Sequence, residues 1–446
     1  MNDQVDQLGS LLPAIRTRPP GRRSRALTAR LRAVESRNVT YSDKSWPVFW
    51  DAARGANVLD ADGNIFVDLT SAFGVALLGH AHPVVVSAVS HQAGKLMHGM
   101  GDVHPSLPRL ALMERLCAFA PWGDTRAVLA STGSEAVEIA LKTAQMATGR
   151  PGVLAFEGAY HGLTLGALAA TERQLFRAPF EDRIYDGVAF APFPDFLGEG
   201  SDASDRALDA VRAALAGGAP NGDPIGAVII EPVQGRAGVR LAPHGFMAAL
   251  SRVVAESDAV LIADEIFTGM GRCGARFASE RVGLAPDVIC VGKALGGGMP
   301  VSACLASAAV MDTWPASEGE AIHTSTFLGH PVACAAALAV LDTLEQEAVT
   351  ERARVLGSRI LMALRAQVSE VPGVIDVRGL GLLIGIEFAE SGRAVRLAES
   401  ALREGLLVLP AGDRGHVLEL APPVELTEAQ TDFAVETLVR LIREGR

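Results

Sequence analysis

The chain has 446 residues, of which 49% are hydrophobic and 20% charged; that suits two or three packed domains and excludes disorder over most of the length. Its 46 glycines follow no three-residue period, which excludes a collagen-like helix. The net charge of −11 argues against nucleic acid as a partner, because an acidic body repels a phosphate backbone.

Residues 1–45 form a polar, arginine-rich arm. The first 37 residues hold eight arginines against Asp3, Asp6 and Glu35, a local charge of +5 on a body of −16. Such an arm suits an acidic partner or an Arg-rich transit segment. The reading adopted is that it lies on the protein's own acidic surface. Residues 56–69 are expected to form two short strands around Asp62-Gly63, the Asp-Gly hairpin signal. Helices are expected over 84–98 and 106–119.

From residue 127 the chain alternates short apolar runs with helices. The runs are 127–131, 153–159, 227–233, 259–266, 288–292 and 303–307, and helices are expected over 134–148, 204–216 and 244–256. Short continuous apolar runs are the pattern of parallel strands buried on both faces. Strands alternating with helices predict an α/β fold with a mostly parallel sheet flanked by helices. Beyond Pro331 come helices over 331–346 and 350–369, two strands, a helix near 394–404, strands at 406–409 and 417–420, and a helix over 427–444. That pattern predicts a smaller α+β domain, which the N-terminal segment joins. The expected division is 1–75 as arm and part of the small domain, 76–330 as the large domain, and 331–446 as the C-terminal small domain.

Five cysteines, an odd number with no Cys-x-x-Cys, point to reduced thiols rather than a disulfide framework or zinc ribbon. No apolar run approaches the roughly 20 residues that span a bilayer, and no secretory segment opens the chain. A cytoplasmic location without membrane contact is expected.

Only four of the 40 basic residues are lysines: Lys44, Lys95, Lys142 and Lys293. A lysine in an apolar setting therefore needs a reason. Lys293 ends the run VICVGK and precedes three glycines. Desolvation there would lower its pKa, as a Schiff-base lysine requires, and glycines let the backbone approach a bound group. A lysine snorkelling off a strand end is the plainer alternative. Asp264 ends the preceding run, at the strand terminus where open α/β sheets bind ligands. A carboxylate there can keep a pyridine nitrogen protonated and make the ring an electron sink; otherwise it opens an ordinary turn.

Ser131-Thr132-Gly133-Ser134-Glu135 opens a helix directly after a strand. That places free N–H groups and the positive dipole end at an anion site, with Ser134 as a candidate N-cap. Tyr160 follows another buried run, where an aromatic can stack on a planar cofactor or sit half-buried with no such role. His80-Ala81-His82 lacks a third ligand at a recognisable spacing, so a turn is expected rather than a metal site. Gly379-Leu380-Gly381 leads into a strand, which does not support a nicotinamide fingerprint.

Several motifs occur in order: DADGNIFVDLTSAFGVALLGHAHP, STGSEAVEIALK, YHG, IIEPVQG, LIADEIFTGMGRCG, GKALGGGMP, HTSTFLGHP and RGLGLLIGIEF. Together they resemble the class III aminotransferases, fold type I pyridoxal-phosphate enzymes that include ornithine and 4-aminobutyrate aminotransferase. The likeness runs from about residue 46 to the C-terminus. It implies that Lys293 forms the internal aldimine with pyridoxal 5'-phosphate and shuttles the proton, while Asp264 binds the pyridine nitrogen. Tyr160 would stack on the ring, and Gly133 and Ser134 would hold the phosphate. Thr326 would reach the phosphate of a partner subunit, which implies an obligate homodimer. Thr132, His161, Glu231 and Ile266 match the family pattern near the cofactor.

The chain departs from that pattern at three places. Arg236 stands where a glutamate commonly follows Gln-Gly, and Glu419 stands where many relatives carry a carboxylate-binding arginine. An Arg236–Glu419 ion pair of reversed polarity is one expectation. It would leave Arg236 to bind a keto-acid carboxylate; Glu419 attracting an amine, or a purely structural pair, are the others. Phe267 replaces a polar residue found in some relatives and, with Phe73, suggests a partly apolar substrate pocket or simply core.

The resulting expectation is an aminotransferase that moves an amino group from an amine or amino acid to a keto acid or aldehyde. An aminomutase, racemase or decarboxylating transaminase on the same scaffold is the alternative. The donor and acceptor are small molecules, and no metal is expected.

Overall fold

The structure is a computed structural model and describes residues 7–195 and 202–445. It divides into two compact units, one within Met1–His82 and Val355–Arg446, the other Pro83–Arg354. The sequence reading places the divisions at 75/76 and 330/331. In the structure they fall at 82/83 and 354/355, because the helix over 331–346 packs on the helices of the larger unit.

In the first unit the arm leads into α1 (Arg22–Val34), followed by β1 (Trp50–Arg54), β2 (Asn57–Asp60) and β3 (Ile65–Asp68). The β2–β3 turn falls at Asp62-Gly63 as expected, with Gly63 at φ +83°. Glycine reaches that left-handed region without steric cost. The arm lies along this hairpin. Asn57 Oδ1 accepts from the amides of Gly9 and Leu11, and Asn64 Oδ1 accepts from those of Arg16 and Thr17. The arm also pairs with β3 through Ala14 and Ile65, accepts from Gln430 Nε2 at the Gly9 and Leu11 carbonyls, and meets Asp62 at the start of α1. Asp3 and Asp6 lie outside the described residues.

The larger unit opens with α2 (Pro83–Lys95) and α3 (Leu107–Phe119) and then builds a seven-stranded sheet. Its elements are β4 (Thr125–Ala130), α4 (Gly133–Thr148), β5 (Gly152–Phe156), β6 (Val188–Ala191), α5 (Ala203–Gly217), β7 (Ile225–Ile230), α6 (Phe246–Ala255), β8 (Val260–Asp264), β9 (Val288–Val291) and β10 (Ser302–Ser307). The strand order is β4-β10-β9-β8-β7-β5-β6. β5, β7, β8 and β9 are buried along their whole length, as continuous apolar runs require. On α4, Ala136, Val137, Ile139, Ala140, Thr143 and Ala144 are buried. That spacing of three to four residues is the core stripe of an amphipathic helix. α7 (Pro331–Gln346) packs against α2 and α3.

Two points differ from expectation. β10 runs antiparallel to both β9 and β4. Only about ten residues separate it from the end of β9, too few for the crossover that a parallel return needs. β6, only four residues long, was not singled out in the sequence because its run is too short to stand apart from a loop.

α8 (Val349–Val368) carries the chain back to the first unit, which adds β11 (Val374–Leu380), β12 (Leu383–Phe388), α9 (Arg393–Arg403), β13 (Leu406–Leu407), β14 (Leu409–Ala411), β15 (Val417–Leu420) and α10 (Glu428–Arg443). β13 joins β3 in parallel to complete one four-stranded sheet, and β11-β12-β15-β14 form another. Gly379-Leu380-Gly381 ends one strand of the β11–β12 hairpin. All five cysteines are free, four of them buried. Among the described residues, no helix is long and apolar enough to cross a membrane.

Candidate active site

Antiparallel pairing on both sides of β10 leaves β4 parallel to β9. The C-terminal ends of β4, β9, β8, β7 and β5 therefore share one edge of the sheet. Each of these five ends delivers a side chain singled out from the sequence. Thr132 follows β4, Tyr160 and His161 follow β5, Glu231 follows β7, Asp264 closes β8, and Lys293 follows β9. This is the edge at which open α/β sheets bind ligands.

α4 begins at Gly133, and its N-cap is Thr132, not Ser134. The Thr132 hydroxyl accepts from the Glu135 amide, and the Glu135 carboxylate accepts from the Thr132 amide, a reciprocal capping box. Ser134 lies two residues past the cap position, inside the helix. Its Oγ instead accepts from the Leu163 amide at 3.1 Å. Among the described residues, no acceptor takes the Gly133 or Ser134 amide, so two N–H groups at the positive end of a 16-residue helix stand open. A Cβ on Gly133 would come within 2.9 Å of Ile266. A Cβ on Gly162, at φ +130°, would come within 2.0 Å of the Ser134 hydroxyl. Both glycines are needed for the close approach of the loops.

Asp264 is 4% exposed. Its Oδ2 lies 2.8 Å from His161 Nδ1, and its Oδ1 accepts from the Ile266 amide at 3.1 Å. A carboxylate can only accept, so Nδ1 carries the proton of the His161 ring. His161 Nε2 is buried with no partner. The backbone of His161 is fixed by Thr171, whose hydroxyl accepts from the His161 amide and donates to the Gly162 carbonyl.

Glu231 is buried and spans two segments. Its Oε1 accepts from the Tyr160 amide at 3.0 Å, and its Oε2 accepts from the Gly235 amide at 3.1 Å. Burial pushes its carboxyl up to about 7, with Asp264 adding to the rise and His161 opposing it. Tyr160 is likewise raised by burial, against the pull of Arg236. The Arg236 guanidinium lies over the Tyr160 ring, 5.8 Å from its centroid. Lys293 Nζ lies over the Phe267 ring at 4.6 Å, and a Cβ on Gly235 would meet that same ring. The Lys293 backbone sits at φ +39°, a strained conformation for a non-glycine residue and one that clusters at functional sites.

Thr326 is exposed in a turn whose neighbour, Phe327, packs against His98 and His330; no hydrogen bond of the Lys293 cluster reaches it. Phe73 and Glu419 belong to the other unit. Phe73 is 56% exposed, in a run from Ser71 to Gly74 with every φ positive. Asp68 holds this run by accepting from the Thr70 and Ala72 amides, and Ser71 Oγ donates to the Ala421 carbonyl. Glu419 is buried on β15 opposite Gly385 and Leu409. His80 binds Asp68 through Nε2 at 2.8 Å.

Sequence reasoning missed Gly162, Thr171 and Ser302. The Ser302 hydroxyl donates to the Thr132 carbonyl at 2.6 Å and ties β10 to the start of α4. Gly162 was visible within Tyr-His-Gly. The other two are ordinary hydroxyl residues whose role depends on contacts distant in sequence.

These features fit a phosphorylated, positively ionisable ring. The open amides suit a phosphate, the buried Asp264 carboxylate suits a protonated ring nitrogen, and the buried orphan nitrogen of His161 leaves a polar group to satisfy. The family model for class III aminotransferases matches residues 39–442.

The chain belongs to the class III aminotransferases.

It is 34% identical over 398 residues to an acetylornithine aminotransferase of Methanothermobacter thermautotrophicus, covering 89% of this chain and 94% of that one. Among solved structures, it is similar to an amine transaminase from an uncultivated Pseudomonas species described in its PLP-bound (internal aldimine) form. The two share 28% identity with a TM-score of 0.84, over 93% of this chain and 99% of that one. It is also similar to the ornithine aminotransferase of Toxoplasma gondii, at 27% identity and a TM-score of 0.82, over 94% of each chain. This class III aminotransferase is therefore a transaminase of fold type I that depends on pyridoxal phosphate and takes an amino donor and a keto-acid acceptor.

Proposed function

We propose that Lys293 attaches the cofactor and carries the proton during transamination. The observation that carries this reading is the placement of Asp264 and Lys293 at the same ends of adjacent parallel strands, facing the open start of α4. When bound, pyridoxal phosphate supplies an aldehyde for exchange with amines and a protonated ring that draws electrons from the substrate carbon.

The protein's own residues do the rest. The Gly133 and Ser134 amides, with Thr132 as cap, hold the phosphate. Asp264, oriented by His161, keeps the ring nitrogen protonated. Tyr160 and Ile266 confine the ring. Glu231 fixes Tyr160 and Gly235 relative to one another and so positions Arg236. Lys293 Nζ takes a proton from the substrate carbon and returns it to the cofactor carbon.

Arg236 binds the carboxylate of the keto-acid partner. Its guanidinium already lies over the Tyr160 ring, and its forked donors suit a carboxylate. The enzyme acts as a cytoplasmic homodimer in which Thr326 reaches the phosphate of the partner subunit. An exposed apolar surface around Thr326 supports the dimer: Met97, Met100, Val103, Leu107, Ile322 and Phe327 all face outward. Patches of this kind mark association surfaces.

Absorbance titration of the purified holoenzyme tests the reading. Glutamate, alanine, ornithine, other diamines and amino sugars are offered as donors. One of them should discharge the visible cofactor band, and a keto acid should restore it. Arg236→Ala should raise the keto-acid concentration needed for recovery by tenfold or more. An unchanged half-reaction with glutamate in Arg236→Ala would refute its carboxylate role. A Lys293→Ala enzyme that still cycles would refute the central assignment.

A further inference from the structure

The arginine-rich arm builds a pocket that transamination does not use. A cavity of about 640 Å3 in the first unit is lined by Arg18, Arg22, Arg25, Lys44 and Arg403, with Glu399 as the one carboxylate among its lining residues. Glu399 already pairs with Arg403 at 3.4 Å. Arg25 donates to the Pro20 carbonyl. Among the described residues, no hydrogen bond or ion pair engages the side chains of Arg18, Arg22 or Lys44.

The pocket thus gathers a net four positive charges on a chain whose total is −11. Like charges drawn around one concavity repel, and a bound anion relieves that repulsion. The N-terminus of α1 is not the attraction, because Asp62 already accepts from the Arg23 and Ser24 amides. Side chains alone would hold the ligand. Guanidinium forks bind phosphate oxygens in pairs, and lysine serves as a point charge. The volume lies within the range of small-ligand sites.

We propose that this pocket binds a small polyphosphorylated ligand, a nucleoside triphosphate or a free polyphosphate chain. Three phosphates supply the four negative charges that match the pocket. The pocket shares no residue with the cofactor cradle on α4, and the proposal does not depend on the transaminase assignment.

The test is isothermal titration of the full-length holoenzyme, saturated with pyridoxal phosphate so that the cradle is filled. Sodium tripolyphosphate and adenosine triphosphate are the probes. The expected result is one site per chain, weakened as salt rises. Arg18→Gln with Arg22→Gln should weaken it tenfold or more, and Lys44→Gln less so. Arg212→Gln, at an exposed arginine of the larger unit that pairs with Asp209, should leave it unchanged. Tighter binding of adenosine triphosphate would identify the nucleotide as the source. Equal binding would identify the phosphate chain alone. These side chains are exposed, so the variants should fold, and unchanged far-ultraviolet dichroism would show it. Absence of binding, or binding equally strong in the pocket and control variants, would overturn the proposal.

Discussion

Glu231 shows how one buried side chain links two others. Its two oxygens take the amides of Tyr160 and Gly235, so the ring at one strand end and the Arg236 segment at another move together. Burial raises its carboxyl to about 7, above the value of an exposed glutamate near 4.3. Between those two values the folded state keeps a proton that the unfolded chain has released. Stability contributed by Glu231 is therefore full below about pH 4.3 and lost as pH rises to about 7, a total on the order of 3 kcal/mol. The cofactor-free Glu231→Gln enzyme should lack this part of the pH dependence. Urea unfolding of both proteins between pH 4.5 and 8 checks it, and parallel curves would show that Glu231 does not titrate in that range.

Among the elements, α4 brings together fold and site. Its capping box satisfies amides of the first turn from within the chain, while the amides of Gly133 and Ser134 stay open for an anion. Thr132→Val removes the hydroxyl that caps the Glu135 amide. A loss of about 1 kcal/mol in the stability of the cofactor-free protein is expected, together with weaker retention of pyridoxal phosphate. Urea unfolding and cofactor titration measure the two effects. Stability unchanged within a few tenths of a kcal/mol would show that the cap contributes nothing. The helix and its buried stripe were legible in the sequence, because the spacing of Ala136, Ile139, Ala140 and Thr143 reports one face. The identity of the cap was not. Thr132 and Ser134 are both good caps by composition, and only the residue at which the helix begins separates them.

For the whole molecule, the proposed homodimer would bury the apolar surface around Thr326. Phe327 is 59% exposed in the single chain, and a second copy would cover it. Phe327→Asp places a charge in that contact, where an unpaired buried carboxylate is costly. The variant should run as a monomer in size-exclusion chromatography with light scattering. It should also release cofactor more readily, since Thr326 would no longer meet a partner. A variant of unchanged mass would remove this surface from the interface.

The sequence alone determined which strands are buried, where most helices lie, and which residues are candidates for the chemistry. Those signals are local: apolar runs, helical spacing, a lysine among arginines, and motifs of a few residues in order. The reversal of β10, the Thr171 and Ser302 hydrogen bonds, the grip of Glu231 on two loops and the cation pocket of Arg18, Arg22 and Lys44 emerged only in three dimensions. Each joins groups distant along the chain or depends on the direction of a strand. Such contacts are set by packing and chain closure, and no local spacing encodes them.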